Sequence, residues 1–309
     1  MNLKSRYSGM RVKQSAGRGS RIPQDRDTIR NSPRAARLPA LHGHVCSCPA
    51  SAIDSQQRFI YAQFVSRQST PEQPASRRAA DVARETLKTF ALTHNYNKWV
   101  IDLMTPFLGR KILEVGCGIG NLTYYLQDRG ELACIDLSEL YLAHMRIDFP
   151  DVRFLLRDAA GDGMRELAGD GFDTIVCVNV LEHIKDDGRA LANFRHVLTP
   201  GGRLLLHVPA MSALYGSLDR NLDHYRRYDR KELLSRLNEA GFEVEQLYYC
   251  NLLATVGWFW NARVLRKSEL ASWPTILFDK FVPLIAAIER RCKPPFGMSL
   301  FAVARKPKQ

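Results

Sequence analysis

Residues 112–121 read I-L-E-V-G-C-G-I-G-N, an acid followed by glycines at alternate positions, Gly116, Gly118 and Gly120. Glycines so placed let the main chain take positive φ and approach a ligand closely. Where a strand turns into a helix, the unpaired N–H groups of the first helical turn face the same point. The chemistry this suits is the holding of a nucleotide-like molecule over a βα turn. The spacing is G-x-G-x-G, whereas dinucleotide binding uses G-x-G-x-x-G, so a nicotinamide-dependent oxidoreductase is disfavoured. Further along, Glu182 and His183 follow Asn179 in N-V-L-E-H, and His224 opens H-Y-R-R-Y. Histidines of this kind can take a proton from an acceptor; each can equally be a hydrogen-bonder of backbone with no chemistry. Arg226 and Arg227 lie between Tyr225 and Tyr228. Their planar, multi-donor groups suit a phosphate or carboxylate, or else pair with Asp219, Asp223 or Asp229.

These residues need a scaffold that brings them together. Strand-like runs at Lys111–Val115, Leu132–Asp136, Val152–Leu156, Thr174–Val178 and Arg203–Val208 alternate with helical stretches at Asn121–Arg129, Glu139–Asp148, Gly163–Ala168 and Asp187–Leu198. Such alternation gives a mostly parallel sheet covered on both faces. The glycine turn and Asn179–His183 then fall at the carboxyl ends of strands, where ligands gather in such sheets. Spaced apolar residues predict a helix over 82–108, carrying Asn95, Tyr96, Asn97 and Trp99 either over the ligand or into simple packing. Another helix spans Arg230–Ala240, closed by Gly241. Phe242–Cys250 and Ser299–Ala304 read as two further strands.

Further segments follow in order: A-C-I-D (133–136) closing the second strand, R-D-A (157–159) after the third, F-D-T-I-V-C-V-N-V-L-E-H-I (172–184) at the fourth, and L-T-P-G-G-R-L-L-L-H-V-P (198–209) at the fifth. With them the chain resembles the class I S-adenosylmethionine-dependent methyltransferases, whose first motif is E/D-x-G-x-G-x-G. The resemblance implies a Rossmann-like, doubly wound, seven-stranded and mostly parallel α/β sheet, its last strand antiparallel, with a helical cap. It implies S-adenosyl-L-methionine as cofactor. Asp136 would hold the ribose hydroxyls, Asp158 would read the adenine amino group, and Glu114 would orient the glycine turn or the methionine amine. Gly116, Cys117, Gly118, Gly120, Leu137, Ala159 and Asn179 would border the same molecule. H-N-Y-N-K-W (94–99), L-Y-G-S-L-D (214–219), H-Y-R-R-Y (224–228) and P-P-F-G-M-S-L-F-A-V-A-R-K-P (294–307) further resemble a bacterial methyltransferase group often encoded near, or fused to, polyprenol-sugar-type glycosyltransferases. On that resemblance, segments 210–229 and 251–297 build the acceptor side. Tyr96, Tyr215, Tyr225, Arg226 and Arg227 would contact the acceptor, and His183 and His224 would be the catalytic bases. The expected activity is methylation, at oxygen, of a small-molecule or glycolipid-type acceptor. Metal-dependent O-methyltransferase relatives carry E-x-x-E-H at this strand and a later histidine. Here Asn179 replaces the first acid, leaving a weaker and uncharged ligand, so no metal is assigned.

Composition narrows the partners. The chain has 309 residues, 44 Lys and Arg against 32 Asp and Glu. The imbalance sits in one place: residues 1–80 hold 14 basic and 4 acidic side chains, and residues 81–309 hold 30 and 28. A basic, apolar-poor leader at 1–80 is expected to be disordered, or a transit segment, ahead of a methyltransferase domain over 81–309. The near-neutral body argues against the rival reading, an RNA 2′-O-methyltransferase-like enzyme, and no specific nucleic-acid partner is expected. A non-catalytic cofactor-binding protein is the remaining alternative. Cys117, Cys134, Cys177 and Cys250 lie in or beside apolar runs, as buried thiols do in a reducing compartment. His42, His44, Cys46 and Cys48 match no zinc module. No apolar run reaches the ~20 residues of a membrane-spanning helix, so a cytoplasmic protein is expected. Two apolar runs, 252–260 and 281–288, are each followed by basic residues (Arg263, Arg266 and Lys267; Arg290, Arg291 and Lys293). They can pack as ordinary helices, cover a greasy acceptor, or touch an anionic membrane peripherally.

Overall fold

The strand before the glycine turn, β1 (Lys111–Val115), is buried on both faces, which explains its nearly continuous apolar sequence. With β2 (Glu131–Asp136), β3 (Arg153–Leu156), β4 (Thr174–Val178), β5 (Arg203–Pro209), β6 (Glu243–Cys250) and β7 (Ser299–Arg305) it forms one sheet in the order β3-β2-β1-β4-β5-β7-β6. Strands β1 to β5 are parallel. The last strand, β7, runs antiparallel between β5 and β6. This is the seven-stranded sheet expected from the resemblance. The strand order reverses between β1 and β4, and that switch opens a crevice at their carboxyl ends.

The computed structural model describes residues 84–260 and 272–308. The expectations for the leader, for His42, His44, Cys46 and Cys48, and for Arg263, Arg266 and Lys267 lie outside the described residues. The helices are α1 (84–91), α2 (His94–Met104), α3 (Thr123–Leu126), α4 (Glu139–Asp148), α5 (Asp187–Val197), α6 (Ser217–Asn221), α7 (Arg230–Glu239), α8 (Leu252–Phe259), α9 (Ser272–Asp279) and α10 (Val282–Arg291). Alternation along β1 divides the core in two. Leu113 and Val115 pack with Phe194 of α5 and Leu233 of α7. Ile112 packs with Trp99 and Met104 of α2, Leu142 of α4 and Ile285 of α10. Cys117, Cys134, Cys177 and Cys250 are buried free thiols.

Three helical expectations are corrected. The stretch 82–108 is two helices, because the Thr93 hydroxyl donates to Phe90 O at 2.8 Å and offers the backbone an alternative to helix. The stretch 121–129 is helical only over Thr123–Leu126, since the chain must turn at Gly130, where a Cβ would meet Arg110 O at 2.5 Å. Residues Asp162–Asp170 wind as 3-10 helix. Helix α7 ends as expected, with Gly241 at φ 82.

The cap is tied down by carboxylates that reach helix starts from far along the chain. Asp279 accepts from Asn95 N and Tyr96 N, 3.1 and 2.8 Å, at the start of α2. Glu289 accepts from Asn251 N and Leu252 N, both 2.9 Å, at the start of α8. Both satisfy amides that a helix leaves unpaired and place negative charge at its positive end.

Candidate active site

At the carboxyl end of β1 the chain turns sharply. Gly116 has φ 73, and a Cβ there would meet Val180 Cγ2 at 2.4 Å. Gly116 N donates to Ile135 O at 2.8 Å, and Gly118 N donates to Asp136 Oδ2 at 2.9 Å. The other Asp136 oxygen accepts from Ser138 N at 2.8 Å. Asp136 thus fixes the glycine turn while each oxygen keeps a further lone pair. Beneath the turn, Glu114 is buried. Burial pushes its carboxyl up to about 7, against hydrogen bonds from Thr123 and Cys134 that favour the charge. A carboxylate poised there suits a cationic ligand.

Glu114, Gly116, Cys117 and Asn179 border a cavity of about 530 Å³. Gly118 and Gly120, further along the same turn, and Asp136, Leu137, Asp158 and Ala159, at and after the ends of the neighbouring strands, lie outside its lining. Leu137 is 73% exposed. Asp158 is exposed and accepts from Ala160 N, and the carbonyls of Ala159 and Gly161 are held by Asn193 Nδ2 at 3.0 Å. Helix α1 closes the other side through Leu87 and Phe90, and Asn121 Nδ2 donates to Leu87 O.

The far half of the cavity collects polar groups from distant segments. Asn179 sits after β4 at φ 51. The Tyr96 hydroxyl hydrogen-bonds the side chains of Asn179 and Ser299, and burial pushes its pKa up. Glu182 is fully buried, and neither carboxylate oxygen has a partner on another described residue. Burial raises it to about 7, opposed by the charges of His224 and Arg227. Asp219 Oδ1 accepts from His224 Nδ1 at 3.1 Å and from Arg227 Nε at 2.7 Å. Burial pushes the Asp219 carboxyl up, but its bonds to His224, Arg227 and the Gly216 amide hold it below the ordinary value. An ionised Asp219 makes Nδ1 the donor, so Nε2 of His224 is the basic nitrogen. The His183 ring stands edge-on to His224 at 4.6 Å, and burial followed by the His224 charge lowers its pKa to about 4. Ligand atoms of Glu182, His183 and His224 lie within 4.8 Å of one another.

The two candidate arginines part company. Arg227 lines the cavity, donates through Nη1 to Ala210 O at 3.1 Å, and lies 4.5 Å from the Trp258 ring. Its Nη2 has no partner among the described residues. Arg226 turns away to Asp187, 2.6 Å, and to Lys185 O, 2.7 Å. Tyr225 is 55% exposed outside the lining. Tyr215 also stands outside it and donates to His224 O at 2.8 Å, steadying that loop. Of the expected acceptor contacts, Tyr96 and Arg227 reach the cavity; Tyr215, Tyr225 and Arg226 do not. Asn251, Trp258 and Ser299 also line it; the first two fall in the segment expected on the acceptor side, but none of the three stands out in the sequence as a site residue. Nothing local marks them, because each is brought in by β6, α8 or β7.

A family model described as a methyltransferase domain matches residues 61–247. The ubiquinone biosynthesis O-methyltransferase of Thiobacillus denitrificans is 30% identical over 173 residues, covering 48% of this chain and 71% of that protein. The protein of the same name from Paracidovorax citrulli is 26% identical over 165 residues, covering 47% and 68%. Among solved structures, an S-adenosylmethionine-dependent methyltransferase from Archaeoglobus fulgidus aligns with TM-score 0.48 at 14% identity, covering 68% of this chain and 93% of that one.

Proposed function

The chain belongs to the methyltransferase domain family and is an S-adenosylmethionine-dependent methyltransferase; we propose that it methylates an oxygen of an amphipathic, glycolipid-type acceptor. One observation carries this reading. Glu182, buried with both oxygens unpartnered, stands beside a histidine whose other nitrogen is anchored on Asp219. That arrangement suits removal of a hydroxyl proton. The new O–CH₃ bond forms as the C–S bond of the sulfonium breaks, the sulfur leaves as a neutral thioether, and the hydroxyl proton passes to Nε2 of His224 or to Glu182. Positioning is the protein's main contribution to such a displacement. Leu218, Leu222, Trp258 and Phe278 give the acceptor an apolar wall, and Arg227 Nη2 offers a donor to an anionic or sugar oxygen. The name of the relatives, O-methyltransferases, supports oxygen as the atom. The segments 94–99 and 224–228, resembling the glycosyltransferase-associated group, supply Tyr96, His224 and Arg227 to the cavity.

The test is transfer of labelled methyl from S-adenosylmethionine into a bacterial glycolipid extract in detergent micelles. Label is expected in the organic phase and stable to alkali, as in a methyl ether. His224→Ala should lower it by about 10²–10⁴-fold, with S-adenosylhomocysteine affinity unchanged. Label confined to water-soluble amines, or transfer indifferent to that substitution, would overturn the reading. A second reading rests on the convergence of Glu182, His183 and His224. Their donor set fits a divalent cation, with Asp219 orienting His224 from behind. A cation held there would polarise the acceptor oxygen, and activity would be lost on chelation and restored by the metal.

A further inference from the structure

Fifteen large apolar side chains are exposed among the described residues, and eight of them fall between 253 and 288. They are ordered by helical period. On α8 and the residue after it, Leu253, Val256 and Trp260 recur at i, i+3 and i+7; on α10 and the residue before it, Phe281, Leu284 and Ile288 do the same. Val256 is 71% and Leu284 62% exposed. The same helices bury their other sides, α8 through Thr255 and α10 through Val282 and Ile285. From Leu252 to Trp260 and from Phe281 to Ile288 neither side carries a charge, and an apolar face turned to water over that length signals a partner.

We infer that the outward faces of α8 and α10 lie on an anionic lipid bilayer. Charge selects this occupant. Among the described residues of 252–288 the charged side chains are Asp279, buried against the start of α2, and Lys280. Beyond Ile288, Arg290 and Arg291 are exposed and pair with no acid among the described residues. An apolar face with a basic rim fits lipid tails and anionic headgroups. A second copy on the same face would leave Arg290 and Arg291 without an acidic partner there, since no described residue of 252–288 other than the buried Asp279 is acidic. The face is also continuous with the cavity mouth, since Leu253 is exposed on it and lines the cavity too. No helix among the described residues is long and apolar enough to cross a membrane, so contact would be along the surface. The inference rests on the acceptor reading only for the use of that mouth, and the two fail separately: methyl transfer in micelles measures the acceptor, vesicle binding the face.

The experiment is flotation of the purified full-length chain with vesicles of phosphatidylglycerol and phosphatidylcholine, against pure phosphatidylcholine. The wild type is expected to float with the anionic vesicles. The double substitution Val256→Glu with Leu284→Glu, both outside the cavity lining, should lower the bound fraction about tenfold, with S-adenosylhomocysteine affinity and circular dichroism unchanged. Three results would overturn the inference. The wild type stays in the supernatant. The double variant floats as the wild type does, so that other residues, the basic leader included, carry the binding. Or the wild type sediments as a dimer that the double substitution dissociates, so that a second copy covers the face.

Discussion

The two ends of the cavity are built in opposite ways. The glycine turn is local: Gly116, Gly118 and Asp136 lie within 21 residues, and main-chain N–H groups make its contacts. The far end is assembled from segments spread between Tyr96 and Ser299, and side chains line it. Backbone cannot be substituted, so the first end suits a ligand that stays the same. Side chains can, so the second suits a ligand that differs from one relative to another. Charge follows the same division, with one buried carboxylate under the turn and a network of Glu182, Asp219, His224 and Arg227 at the far end.

The two ends differ most in what they lose with Arg227. Arg227→Met leaves Asp219 buried without its guanidinium partner, and losing one member of such a pair destabilises by about 3–5 kcal/mol. Arg226→Ala, next door but partly exposed on Asp187, should stay within about 1 kcal/mol. Denaturant unfolding reads both, and equal losses would erase the distinction drawn between them. At the other end, Gly116→Ala forces a left-handed φ on a side chain and drives its Cβ into Val180. Strain of about 1–3 kcal/mol predicts a fall of about tenfold to a hundredfold in S-adenosylhomocysteine affinity by calorimetry. Arg227→Met should leave that affinity within about twofold where the variant is folded; a joint loss would mean the two ends are one site.

A further test concerns protons. Glu114 has its pKa raised from 4.5 to about 7 by burial. Between those values the folded chain holds a proton that the unfolded chain has released, so this group's contribution to stability falls as pH rises through the window and is level above it. Glu182 acts in the same direction, whereas the buried His183 and His207, neutral in the fold, cost stability at acid pH. The difference in melting temperature between wild type and Glu114→Gln isolates the first. The substituted protein should gain relative stability steadily from pH 4.5 to about 7; a flat difference would mean that Glu114 is charged in the ligand-free fold.

The same contrast explains what was legible in the sequence. Strand ends, glycine spacing and the acids near them are local signals, and the sheet and the turn follow from them. Arg226 and Arg227 are adjacent and identical in type, yet only one reaches the cavity. That choice depends on Asp219 and Asp187 and on the left-handed Asp223 before the loop. None of this has a period or a spacing. Trp258 stands in an apolar run that reads equally as a packed helix, a lid over the acceptor or a membrane contact, and the carboxylates that fix α2 and α8 come from Asp279 and Glu289, nearly two hundred and nearly forty residues away. The burial of Glu182 depends on the loop at 224–228 folding back on it, with Tyr225 N donating to Glu182 O at 2.8 Å.

The stretch from Asn251 to Met298 leaves the sheet at Cys250 and rejoins it at Ser299, residues that sit opposite one another in the β6–β7 ladder. Its two ends are already neighbours, and its start is clasped by Glu289 from within. Changing the length of such an excursion alters closure entropy only logarithmically, by about 0.6 kcal/mol per doubling. The stretch is thus a cassette. Its length can change at little entropic cost, but its inner side cannot change freely, because Val282 and Ile285 pack in the same core as Ile112 of β1.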